Sequence, residues 1–161
     1  MIVYKVVNIT VDKQGRTHRR FSAMHHNNPR TGAQYPKSWS LEYKVHSVNK
    51  AEVGMLLAFE SAGQAEDFAP SHQASYNGHE IWKCEVAGAC KEIKFLLDDC
   101  LYYAHTYQDS TLRNFWQHII EGVAYVGVGS AMKIPAGSIG CEGLKFIKLV
   151  RRYVWLPQQV R

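Results

Sequence analysis

The sequence predicts an α+β fold: a curved antiparallel or mixed sheet of about six or seven strands with two or three helices packed on one side. Three observations predict it. Stretches such as IVYKVV, LEYKV and EIWKCEV carry β-branched and aromatic residues with period-two alternation. SAGQAEDFAP and STLRNFWQHII carry helix-capping signals or a helical repeat of apolar positions. A chain of 161 residues with 46% apolar and 20% charged residues has the size and balance of one globular domain spanning 1–161.

The elements follow in order. Residues 2–11 pair with residues 16–24 across DKQG, where Gly15 supplies the positive φ that a short hairpin loop needs. Period two places Arg16, His18 and Arg20 on one side of the second strand and Thr17, Arg19, Phe21 and Ala23 on the other. HHNNPRTGAQYPKSW, 25–39, reads as a long loop from its Asn, Pro and Gly content. SLEYKVH alternates Leu41, Tyr43 and Val45 inward with Glu42, Lys44 and His46 outward, a half-buried strand followed by a turn over 49–54. MLLAF is a buried strand. Ser61 and Gln64 then form a capping box for a helix that Pro70 closes.

HEIWKCEV, 79–86, is a strand with Trp82, Cys84 and Val86 on one face. Leu97, Leu101, Ala104 and Tyr107 predict a helix over 96–107, in a segment that also has strand character at its start. Leu112, Phe115, Trp116, Ile119 and Ile120 predict a second helix, capped by Ser110 or Thr111 and stopped by Gly122. VAYVGVGSAMKI and SIGCEGLKFIKLVRRYVWL close the chain as two strands joined through PAGS.

Charge is distributed in three blocks. Residues 1–50 carry nine Lys or Arg against two acids, residues 51–110 three against ten, and residues 111–161 seven against two, within a total net charge of +5. If the two basic ends pair in one sheet they make a basic face, which attracts phosphate-bearing partners. RTHRRFSAMHHNNPRTG, 16–32, concentrates this charge and contains no acidic residue. Phe21, Tyr35, Trp39 and Tyr43 flank or interrupt it, and interleaved arginine and aromatic residues suit base stacking. The expected ligand-binding set is therefore Arg16, His18, Arg19, Arg20, His25, His26, Arg30 and Trp39, with the arginines on phosphate and His25 and Trp39 stacking or hydrogen-bonding.

Other motifs carry less. Gly122, Gly127 and Gly129 before Ser130 and Lys133 lack the helix start that a phosphate loop requires, so they read as a glycine-bearing strand. Adjacent His25 and His26 have no second pair at ligand spacing, and Cys84, Cys90, Cys100 and Cys141 match no zinc pattern, which predicts no metal, no cofactor and reduced core thiols. Asp98 and Asp99 fit a helix first turn better than a catalytic dyad. No nucleophile elbow occurs, so the reading leans away from an enzyme. No run approaches 18 apolar residues, which predicts no membrane span.

The IVYKVV strand, the LAFESAGQAEDF strand and helix, the EIWKCEV strand and the closing PAGSIGCEGLKFIKLV together resemble a group of short phage and prophage proteins. That resemblance implies a bacterial host cytoplasm and an accessory, counter-defence type of role, and it transfers no catalytic residue. The function expected is non-enzymatic binding and sequestration of a phosphorylated, nucleotide-derived ligand, by a monomer or a homo-oligomer. Two other expectations stand beside it: nucleic-acid binding through the same basic face, and inhibition of a host protein through the acidic middle, residues 52–109.

Overall fold

The computed structural model describes residues 1–22, 41–52, 54–69, 76–93, 95–97, 131–133 and 136–155. In chain order the elements are β1 (Ile2–Val11), β2 (Thr17–Ser22), β3 (Val48–Lys50), β4 (Leu56–Phe59), α1 (Ala62–Phe68), β5 (Gly78–Glu92), β6 (Phe95–Leu97), β7 (Ala131–Lys133) and β8 (Ser138–Val154). Strands dominate, and α1 is the one helix among the described residues, so the expected α+β class with two or three helices is corrected to a mostly β architecture. The expected helix over 96–107 is overturned at its start: Phe95, Leu96 and Leu97 pair antiparallel with Lys133, Met132 and Ala131. A short apolar run satisfies either period, and here cross-strand partners decide it. The expected helix over 110–122 lies outside the described residues.

The six-stranded sheet is antiparallel throughout. β1 pairs β5 along one edge, and along the other it pairs β2 through residues 7–11 and β4 at Tyr4. β8 pairs β5 along one edge, and β4 and β3 along the other. The ring β1, β5, β8, β4 and back to β1 therefore closes, giving a small barrel-like body. Three register shifts between β5 and β8 bend the long pair enough to close it.

Period two fills the interior. Val3, Val7 and Ile9 of β1 face Cys84, Trp82, Leu56, Cys141, Leu144 and Phe146 in one buried cluster. Within it Phe146 stacks on Tyr43 at 5.4 Å and on Trp82 at 5.2 Å between ring centres. The other face of β1, β4 and β5 places Val6, Phe59 and Ile81 under α1, whose Ala65 is fully buried against them. Each such aliphatic side chain contributes roughly 1.5–3 kcal/mol by leaving water. The capping box that starts α1 is formed as expected, with Gln64 N donating to Ser61 Oγ at 3.2 Å and Ser61 N donating to Gln64 Oε1 at 3.1 Å.

The hairpin also forms as expected, with Asp12 and Arg16 closing it and Gly15 at φ 75°. The segment expected as a strand over 40–46 is shorter. Its described residues make one bridge, Glu42 to Phe21, and the chain then turns into β3. Asn49 causes this: its amide donates to the carbonyls of Lys44, Ser47 and Leu144 and accepts from Lys44 N, folding the turn onto β8.

Candidate functional site

Glu80 is the one fully buried acid among the described residues. It lies on the inward face of β5, opposite Val7 and two residues before Trp82, and is 1% exposed. A carboxylate this buried needs full compensation. Arg20 Nε donates to Oε2 at 2.6 Å, Trp82 Nε1 donates to the same oxygen at 2.6 Å, and Thr17 Oγ1 donates to Oε1 at 2.5 Å. Arg152, directly opposite Glu80 on β8, brings its Nε to 3.7 Å of Oε1 and donates to Thr17 Oγ1 at 3.0 Å.

A bulge builds this arrangement. Thr10 pairs Arg19 but Val11 pairs Thr17, so His18 is an extra residue in β2 with no partner on β1. The extra residue reverses the alternation, and Thr17 and Arg20 both reach Glu80. Strict period two puts Thr17 on the face away from Arg20 and groups Arg16 with Arg20. The structure corrects both.

Arg20 lies over the Trp82 ring, 5.3 Å from its centre, and keeps 20% exposure; Arg152 keeps 31%. Arg152 Nη2 is tied to the Gly15 carbonyl of the hairpin turn. Among the described residues, both Nη atoms of Arg20 and Nη1 of Arg152 have no acceptor. Two guanidinium groups thus share one carboxylate, leaving one positive charge and three nitrogen atoms without an acceptor among the described residues at the barrel mouth. Glu80 orients both groups from below, as a supporting carboxylate orients a binding residue.

The other expected residues separate. Arg16 pairs with Asp12 at 2.8 Å in the exposed hairpin turn, and Arg19 makes two bonds to Glu42, at 3.2 and 2.7 Å. The Arg19 guanidinium holds the Glu42 carboxyl down at about 2, with Lys44 adding to the effect. Hydrogen bonds from Arg16 and the turn backbone likewise lower Asp12. His18 is exposed at the bulge. His25, His26, Arg30 and Trp39 lie outside the described residues.

Three described acids of the middle stretch have different surroundings. Glu80 is interior, Glu66 of α1 pairs with Arg151 at 3.1 Å, and Glu85 stands opposite Lys145. No group of three or more His, Cys, Asp or Glu side chains that could hold a metal occurs among the described residues, and no helix among them is long and apolar enough to cross a membrane.

Sequence reasoning passed over Glu80, Thr17, Trp82 and Arg152. One signal was available: in HEIWKCEV, Glu80 shares the parity of Trp82 and Cys84, which makes it an acid on an inward strand face in need of a buried cation. Fold and site together define a small antiparallel β-barrel with a cationic mouth. No family model, curated protein or solved structure matches the chain.

Proposed function

We propose that the chain is a binding protein for a small phosphorylated ligand, with nucleotides as the class to test first, held at the mouth by Arg20 and Arg152. The observation that carries this reading is the sharing of buried Glu80 by two guanidinium groups whose outer nitrogens lack acceptors among the described residues. A phosphoryl group offers three acceptor oxygens and the missing negative charge, and arginine forks match it in a bidentate way. The sites move relative to the sequence expectation: Arg20 stays, Arg152 joins it, and Arg16 and Arg19 are engaged by Asp12 and Glu42.

Calorimetric titration with inorganic phosphate, adenosine monophosphate and a panel of nucleoside phosphates tests it. Arg152→Met is the informative variant, because Arg20 still neutralises Glu80 and the fold keeps a balanced pair. Losing one charged fork of about 1.5–3 kcal/mol weakens binding roughly 10- to 100-fold, while Arg16→Ala leaves it unchanged. Absence of binding to every phosphate in the panel, or equal affinity in Arg152→Met, overturns the reading.

A second reading rests on a different observation. Lys83 and Lys148 stand directly opposite each other on β5 and β8, on the outward face, and neither makes a salt bridge among the described residues. Like charges so placed destabilise a strand pair unless an anion lies over them. A nucleic-acid backbone would do this, with log K falling by about 0.9 per log unit of salt for each phosphate neutralised. A slope below two with single-stranded and duplex probes removes it.

A further inference from the structure

Cys90 and Cys141 are register partners on β5 and β8. They stand near the end of the β5 and β8 ladder, two rungs before its last pair, Glu92 with Ile139. Directly opposed residues of antiparallel strands have Cα atoms about 4.5 or 5.5 Å apart, depending on the type of pair. Both values fall inside the range of about 4.4–6.8 Å that a disulfide requires.

The side chains share a side. Cys141 is fully buried in the inner cluster with Val3 and Cys84. Cys90 Sγ lies 3.2 Å from the Met1 sulfur, and Met1, two residues before Val3 in period-two order, is fixed at the same rim by Val86 N donating to its carbonyl at 3.0 Å. Both thiols are free, with Cys90 exposed and Cys141 buried.

We infer that Cys90 and Cys141 form an oxidation site, in which an exposed thiol and the buried one opposite it close a cross-strand disulfide that ties β5 to β8 near the end of their ladder. A low-molecular-weight disulfide such as oxidised glutathione is the oxidant class. The Cys90 thiolate attacks one glutathione sulfur and expels the other as a thiolate, which takes up the proton Cys90 released. The Cys141 thiolate then attacks the Cys90 sulfur of the mixed disulfide and expels the second glutathione, protonated in turn by the proton from Cys141. Two protein thiols are oxidised to one disulfide, and one glutathione disulfide is reduced to two thiols.

Burial pushes the Cys141 thiol up to about 11, so the second step is the slow one. The closing rate rises about tenfold per pH unit from neutrality toward that value, following the thiolate fraction. Cys84, held up at about 12 by burial and without exposure, is a spectator.

The test is incubation of the full chain with oxidised glutathione, followed by thiol counting, intact mass and peptide mapping. The expected result is loss of two of the four thiols, with no retained glutathione and a linked peptide joining Cys90 to Cys141. Cys141→Ala should stop at one glutathione on Cys90, Cys90→Ser should take up none at Cys141, and Cys84→Ser should close as the parent does. A stable adduct on Cys90 in the parent chain, or a link from Cys90 to Cys84, to Cys100 or to a second copy, overturns the inference.

Discussion

Arg20 and Glu80, on strands separated by β1, are joined across the barrel interior by a 2.6 Å ion pair whose carboxylate is 1% exposed. Val7 of β1 lies opposite Glu80, and Ile9 lies opposite Arg20, so the pair bridges over the central strand rather than along one rung. Breaking such a pair from the acid side strands two guanidinium groups. Glu80→Ala is expected to cost about 3–5 kcal/mol of stability, read as a lowered midpoint in urea unfolding. A loss under 1 kcal/mol would show that water or neighbouring groups replace the carboxylate.

Trp82→Phe preserves the stack on Phe146 and removes one donor to Glu80 Oε2. The expected loss is about 1–3 kcal/mol. Because Arg20 packs over that ring, phosphate affinity should fall in the same variant. Unchanged stability by urea unfolding would remove Trp82 from the network.

His79 sits on the outward face of β5, 7% exposed, against the rings of Tyr153 at 4.7 Å and Trp155 at 5.7 Å, with neither ring nitrogen hydrogen-bonded among the described residues. Burial lowers its proton affinity from the usual value of 6.5. The unfolded chain therefore takes up the proton first as pH falls. Stability is full above about 6.5 and declines below it, toward the lowered folded value. In His79→Phe this slope should vanish and stability at neutral pH should hold or rise, since no buried nitrogen is left unsatisfied. Unfolding midpoints measured from pH 5 to 7.5 decide it.

Glu42 titrates in the opposite sense. Its folded value of about 2, set first by Arg19, lies below the ordinary 4.5. The stability it contributes is present above about 4.5 and is lost as pH falls toward 2. Glu42→Gln should flatten this acid limb while leaving the His79 region unchanged. The contribution is small because the pair is exposed and screened, so the difference should shrink in high salt.

Gly78 allows β5 and β8 to meet at their far end. A Cβ there would collide with the Tyr153 carbonyl oxygen, which is backbone and cannot move aside cheaply. Gly78→Ala should cost about 1–3 kcal/mol or more, and should displace Arg152 from Glu80 and so weaken phosphate binding with it. Wild-type unfolding and binding in this variant would show that the strand ends are loose.

Much of the local structure was legible. The β1 and β2 hairpin, the capping box at Ser61 and Gln64, the burial of Trp82 and Cys84, and the long closing strand all follow from turn chemistry and period-two patterning over a few residues. The helix expected over 96–107 failed at its first turn because FLL fits both periods, and only the presence of AMK as a pairing partner selects strand. Of the candidate site, Arg20 was legible as a basic residue on a strand. Its partner was not, since nothing in RTHRRFS states where an inward carboxylate will stand.

By itself the sequence determined which stretches extend, where the one described helix starts and which residues of β5 face inward. Those properties depend on backbone preference and on neighbours close along the chain. Tertiary structure alone decided that the sheet closes through β4, that the His18 bulge turns Thr17 toward Arg20, and that Arg152 completes the cluster around Glu80. Each of these joins residues far apart along the chain. A shift of one residue in register would send the same side chains to the opposite face.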